Sequence, residues 1–223
     1  MLITVMSVLI VSCQKNDPDS TNPPNVSNPG SGNSPAPSSL FPLVAGDTWN
    51  FQDSGFDDAG GRDAFLDTLV ATKTTYTDPA SGMTLVGLQD GPYGWFNGAY
   101  MAVDPTNSIV SEADTPALQP YTFFQTVSQD GPIYNYTDYS NPVCPLQVAQ
   151  YAYANPVFVY GYPCYKNAQV VIDCHQVVNV EVVTYLCPGV GPVRLEHYMT
   201  DTTGGKNIFY EDFSETLIGK SLQ

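Results

Sequence analysis

Positive charge is the scarcest property of this sequence: its 223 residues hold 7 Lys and Arg against 22 Asp and Glu, a formal net charge of -15. Charge of either sign is sparse, at 13% of residues. A surface so one-sidedly acidic repels phosphate, which excludes nucleic acid as a partner. A long apolar run is missing too. The stretch from Leu2 to Val11 is too short to cross a bilayer as a helix and reads as the h-region of a signal peptide. Ala, Leu, Lys and Glu are too few for a helical protein. Signatures of catalysis are absent: there is no Gly-x-Ser-x-Gly elbow and no His-Glu-x-x-His, and Gly219-Lys220-Ser221 lacks the upstream glycine of a phosphate loop. What is abundant is 15 Tyr and 10 Phe, with many Val and Thr, all strand formers.

The chain divides by composition into three parts. Residues 1–12 read as a leader. Residues 13–39 begin at Cys13 and continue as a tether rich in Pro, Ser and Asn, too polar to offset its ordering entropy, with a coil span of roughly 25–30 Å. Residues 40–223 suit one β-rich domain, large enough to bury a core without metals or oligomerisation, and no cofactor is expected. Ile10-Val11-Ser12-Cys13 resembles the lipobox of bacterial lipoproteins. That resemblance implies export, a diacylglycerol thioether on Cys13, removal of the leader and acylation of the new amine, for instance by palmitate. It also implies processing by the lipoprotein maturation machinery and a membrane attachment through lipid, which two or three acyl chains make stable. The polar, acidic start of the tether (Gln14, Lys15, Asp17, Asp19) resembles the signal that sends some Gram-negative lipoproteins outward. An outer-membrane location, on the periplasmic or the cell-surface face, is therefore expected.

In the remainder, strand and turn signals alternate. Short aromatic or β-branched runs fall at Trp49–Phe51, Met83–Leu88, Tyr93–Val103, Ile109–Val110, Tyr121–Val127, Val157–Tyr162, Val193–Tyr198 and Ile208–Phe213. Turn chemistry separates them at Asp90-Gly91-Pro92, Asn97-Gly98, Asp104–Asn107, Asp130-Gly131-Pro132 and Gly204-Gly205. The Val-rich stretch from Ala168 to Tyr185 is expected at the centre of the sheet, bending near Asp173–His175. No crossover-length helix intervenes, so the fold class is all-β and mainly antiparallel, with short helices at most.

Two segments carry a further resemblance. Phe41-Pro42-Leu43 with Gly46, Trp49 and Phe51, and Cys174-His175-Gln176-Val177 with Pro188-Gly189-Val190-Gly191-Pro192-Val193, look like the opening and closing motifs of a group of uncharacterised β-rich bacterial lipoproteins. The resemblance implies a strongly curved sheet or half-open barrel of the kind seen in lipoprotein carriers, with a β-sandwich as the alternative. Read physically, Trp49 and Phe51 share a strand face and nucleate the core, while Gly189 and Gly191 permit positive φ or close backbone approach.

Cys144, Cys164, Cys174 and Cys187 form an even set in an exported chain, which reads as two disulfides. Near neighbours in a meander favour Cys144–Cys164 and Cys174–Cys187. Zinc is the rival, weakened by the lack of any Cys-x-x-Cys pair and by the presence of only His175 and His197; no metal site is expected. The acidic segment Asp53–Asp63 reads as a solvated hairpin turn, with a weak calcium loop as the other reading. Tyr151, Tyr153, Tyr160, Tyr162 and Tyr165 crowd one stretch, either as strand residues with buried rings or as a platform that stacks on sugars. Glu181, Glu196 and Glu211 could meet across strands as glycosidase carboxylates do. The reading these features favour is a lipid-anchored envelope protein with a non-enzymatic binding or assembly role. A surface glycan-binding module is second and a hydrolase third; the partner is a glycan or another envelope protein.

Overall fold

The structure, a computed structural model, describes residues 40–56, 62–89, 99–104, 109–113, 121–202 and 207–223. The expected leader, Cys13 and the tether lie outside these residues. So do Trp95 and Phe96 and most of the turn segments between 90 and 98, at 105–107 and at 204–205.

Among the described residues, thirteen strands build one sheet: β1 (Thr48–Phe56), β2 (Arg62–Thr77), β3 (Thr84–Gln89), β4 (Tyr100–Asp104), β5 (Ile109–Ala113), β6 (Tyr121–Gln125), β7 (Gly131–Asp138), β8 (Leu146–Ala152), β9 (Val157–Val159), β10 (Tyr162–Ile172), β11 (Val178–Cys187), β12 (Gly191–Asp201) and β13 (Ile208–Ser221). Their order is β6-β5-β4-β3-β2-β1-β13-β12-β11-β10-β8-β7, with β9 paired to β10 alone. Every pairing is antiparallel. The described residues contain no helix. The all-β, antiparallel expectation therefore holds, and the arrangement is a single curved, open sheet rather than a sandwich.

Curvature shows in what meets across the interior. Phe124 on β6 and Tyr165 on β10 belong to the same buried cluster, although eight strands separate them in the sheet. The Asn167 side-chain amide completes the approach: its Nδ2 donates to the Gln125 carbonyl at 3.0 Å and its Oδ1 accepts from the Gln125 N–H at 3.1 Å. Gln150 Nε2 likewise donates to the carbonyl of Phe123. Edge strand β6 thus has part of its free backbone satisfied by side chains from β8 and β10, so the sheet nearly closes without a continuous ladder.

Trp49 and Phe51, both fully buried, lie at the heart of the core with Leu69, Met101, Val110, Phe124 and Leu186. Segments 41–51 and 188–193 converge here. Phe41 packs edge-on to Trp49 with centroids 5.1 Å apart, and Trp49 Nε1 donates to the Val190 carbonyl at 2.6 Å. Gly191 has φ 93°, and a Cβ there would sit 2.9 Å from Phe41 Cδ2 and 3.0 Å from Trp49 Nε1. Glycine is needed for both reasons. Asp47, fully buried, ties the ends of this unit by accepting from the Gln223 N–H at 2.8 Å and the Val44 N–H at 3.0 Å.

The structure corrects three expectations. The disulfides join Cys144 to Cys174 and Cys164 to Cys187, with Cα separations of 5.1 and 4.1 Å. Cys164, at the start of β10, and Cys174, in the turn just after it, are held apart by the length of that strand. Antiparallel pairing instead sets the start of β10 beside the end of β11, and the end of β10 beside the start of β8. Closing loops of this length contributes about 3–4 kcal/mol per bridge in the chain-entropy account. The Val-rich stretch is two strands, β10 and β11, and the centre of the sheet is β1 and β13. Its bend is a tight turn: Asp173 Oδ1 accepts from the N–H groups of His175 and Val177, and Gln176 sits at φ 64°. Finally, Asp53 belongs to β1 rather than to a solvated loop, because β1 continues to Phe56; residues 57–61 of that acidic segment lie outside the described ones.

Candidate ligand-binding face

Strand alternation and register determine which side chains share a face. One row across the sheet runs Tyr151 on β8, Ala168 on β10, Val183 on β11, Glu196 on β12 and Ser214 on β13. The row on one side carries Val170, Glu181, Tyr198 and Glu211; the row on the other carries Lys166, Tyr185, Arg194 and Thr216. This is the face opposite Tyr165, Asn167 and Leu186. Tyrosines and carboxylates that the sequence offers as two unrelated ideas therefore stand on one surface.

Glu196 organises it. Its Oε2 accepts from the hydroxyls of Tyr185 (3.1 Å) and Tyr198 (3.2 Å), and its Oε1 pairs with Arg194 at 2.8 Å. Burial, then the Glu196 charge, pushes both phenols well above the usual tyrosine range, so they remain neutral donors. Burial also raises Glu181, partly offset by Lys166. Lys166 Nζ stands 4.1 Å from the centroid of the Tyr153 ring. Ser214 donates to Glu211 at 3.2 Å. At one end of the face, Phe209 stacks on Tyr198 (5.4 Å, 14°), and an open cleft of about 290 Å³ is lined by Val177, Val178, Glu181, Thr200, Asn207 and Phe209.

The five tyrosines of the expected platform divide. Tyr151 is exposed on this face, and Tyr153 lies beside it under Lys166. Tyr160 is not a strand residue: it occupies the β9–β10 turn at φ 49°, is 59% exposed, and its hydroxyl reaches Thr216 at 3.3 Å. Tyr162 is exposed at the start of β10 near Phe158, which is 68% exposed. Tyr165 points the other way, into the core. Tyr185, Tyr198 and Arg194 join the face without having stood out in the sequence as site residues. The alternation Arg194-x-Glu196-x-Tyr198 was the available signal, since three polar side chains at spacing two share a face.

The opposite face holds an acidic pair of which the sequence singles out only Asp53, within its acidic segment. Asp53 and Glu215 are register partners on β1 and β13. Glu215 is fully buried, and neither carboxyl oxygen has a hydrogen-bond partner; Asp53 Oδ1 is likewise buried and unpartnered. Burial, with Asp53 and Asp67 adding negative charge, pushes Glu215 up to about 9. Burial and Asp67 push Asp53 up to about 6. Glu215 is thus a neutral acid at pH 7. His197 stacks on Phe213 at 4.6 Å and contacts Asp212 at 3.3 Å, and burial lowers its pKa.

The one group of His, Cys and acidic residues with ligand atoms within 4.8 Å of one another, among the described residues, is Cys144, Cys174 and His175. Its two sulfurs are bonded to each other, and His197 takes no part.

These features define an all-β protein with one curved antiparallel sheet, a filled interior and a decorated outer face. No family model matches the chain, and neither does any curated protein. Solved structures with a similar arrangement include a protein described as exported, with a YmcC-like fold, from Bacteroides fragilis (11% identity, 82% of this chain and 98% of that one, TM-score 0.38). A protein described as a lipoprotein, from Parabacteroides distasonis, is similar at 12% identity over 82% and 98% of the two chains, with a TM-score of 0.31. A LolA superfamily protein from Nitrosomonas europaea matches at 10% identity over 84% and 90%, with a TM-score of 0.23.

Proposed function

We propose that the protein is a lipid-anchored envelope protein whose outer tyrosine–carboxylate face binds a ligand without transforming it. The observation that carries this reading is the gathering of Tyr151, Tyr153, Tyr160, Tyr185 and Tyr198 with Glu181, Glu196 and Glu211 on one face of β8 and β10–β13. A glycan is the ligand class it fits best. Sugar rings stack on aromatic rings, and their hydroxyls match acceptors and donors held in fixed positions. Glu196 is fully engaged by two phenols and a guanidinium, which suits an organising acceptor better than a catalytic base. Anchoring rests on the lipobox at Cys13, maturation by the lipoprotein machinery, and the outer membrane as destination.

Two experiments test the two halves separately. Cys13→Ser is expected to abolish membrane association and metabolic labelling by a fatty acid; labelling equal to wild type would sink the lipid anchor. On glycan arrays, Tyr151→Ala and Tyr160→Ala are expected to weaken binding by about fivefold each, in line with ~1 kcal/mol per lost stacked ring. Their melting temperatures should stay nearly unchanged, because both rings are exposed. Tyr165→Ala, in the core, should instead destabilise by about 3–5 kcal/mol. A wild-type protein that binds no glycan would overturn the glycan reading and leave a protein of the envelope as the ligand.

A further inference from the structure

The two disulfides occupy opposite environments. Cys164 and Cys187 are buried at 0% and 1% exposure, with Val159, Val190 and Val193 packed around them. The Cys144–Cys174 bridge lies at the surface, where Cys174 and its neighbour His175 are exposed. His175 Nδ1 is 3.5 Å from Cys174 Sγ, and the Cys174 N–H donates to Cys144 Sγ at 3.3 Å. We propose that Cys144–Cys174 is a thiol–disulfide exchange site, open to an external thiol while the protein stays folded.

The geometry supplies each part of the exchange. An incoming thiol meets the exposed Cys174 sulfur and gives its proton to the adjacent imidazole nitrogen of His175. Its thiolate attacks Cys174 Sγ, a new S–S bond forms there, and the old one breaks. The electron pair leaves on Cys144 Sγ, where the Cys174 N–H already donates and a thiolate accepts more strongly than a disulfide sulfur. Products are a mixed disulfide on Cys174, the Cys144 thiolate and a protonated His175, so atoms and charge balance. A second thiol resolves the mixed disulfide and leaves both cysteines reduced. His175 is held for this role by Asp173, whose Oδ1 anchors the backbone of the turn at His175 N (2.8 Å) and Val177 N (2.9 Å).

The bridge can open without dismantling the sheet. It links the approach to β8 with the turn after β10, and those strands are already in register from Ile172↔Gln147 to Asn167↔Ala152. Breaking the bond frees a turn from a strand end and leaves the ladder in place. Opening the inner bridge would instead require exposing a packed cluster.

Reduced glutathione serves as the probe, at a pH where the protein is folded, with alkylation of free thiols and peptide mass spectrometry as the readout. Cys144 and Cys174 should be alkylated at least tenfold faster than Cys164 and Cys187, with a glutathione adduct on Cys174 in the transient species. Tryptophan fluorescence should remain native throughout. His175→Ala, a surface change, should slow opening of the outer bridge several-fold and leave the melting temperature unchanged. Equal reduction of both bridges, or reduction only at the global unfolding rate, would overturn the proposal. So would an unchanged rate in His175→Ala or an adduct on Cys144 alone.

Discussion

Raising the pH from 7 to 9 is expected to cost the folded protein about 2 kcal/mol, and Glu215→Gln is expected to remove that cost. The carboxyl of Glu215 is pushed up to about 9 in the folded state, from an ordinary value of 4.5. Between those values the folded chain holds a proton that the unfolded chain has released. Stability from this group is therefore complete below 4.5 and is lost as pH rises through 9, with a slope approaching about 1.4 kcal/mol per pH unit. Asp53, raised to about 6, acts in the same direction at lower pH. There it is opposed by His197, whose lowered pKa favours the folded state as pH rises. The window above pH 7 consequently isolates Glu215. Urea unfolding at several pH values checks the slope. A variant Glu215→Gln curve that falls in parallel with wild type between pH 7 and 9 would rule out this carboxyl as the source.

Gly191→Ala is expected to destabilise by about 3–5 kcal/mol, far more than Gly189→Ala at about 1 kcal/mol. Both glycines have positive φ, 93° and 69°. At Gly189 nothing lies within 4 Å of an added Cβ, so the backbone conformation alone is penalised. At Gly191 the methyl also meets the Phe41 and Trp49 rings, and shifting Trp49 endangers its hydrogen bond to Val190. A buried indole N–H left without an acceptor costs a further 1–3 kcal/mol or so. Thermal melts of the two variants separate the effects; equal losses would mean that φ, not the close approach of the rings, sets the requirement for glycine.

Legibility of the fold followed side-chain chemistry. Trp49 and Phe51 announced a core strand because two large rings at spacing two have few other places to go, and both are fully buried. Strand β2 escaped notice: Asp63, Asp67, Lys73 and a series of threonines mask its pattern, although β-branched Thr suits a half-exposed strand. The disulfide partners were read from sequence distance, whereas the ends of antiparallel neighbours decide them. For the candidate face, the tyrosines were legible as a group but their directions were not. Tyr160 stands in a turn and Tyr165 on the inward side, and residue spacing cannot reveal either without knowing where β10 begins. Glu215 was invisible for a different reason: one glutamate in an acidic chain carries no sign of burial, which arises only when β13 docks against β1.

That docking has a kinetic consequence. The sheet order is a simple up-and-down meander cut between β6 and β7 and rejoined at β1 and β13, so the first and last of the described strands pair at its centre. All other adjacent pairings except β8–β10 join strands consecutive in the chain, and form locally. The β1–β13 ladder alone closes a separation such as Thr48↔Ser221. During synthesis, β1 must therefore wait, with one edge unpaired, until nearly the whole domain has emerged. Pairings this distant in sequence slow folding, because the entropy of the intervening chain is lost before the contact rewards it. Joining residue 223 to residue 40 and opening the chain at 126–130 would make every central pairing local. Such a permutant, which keeps the same sheet, should fold faster than the natural order.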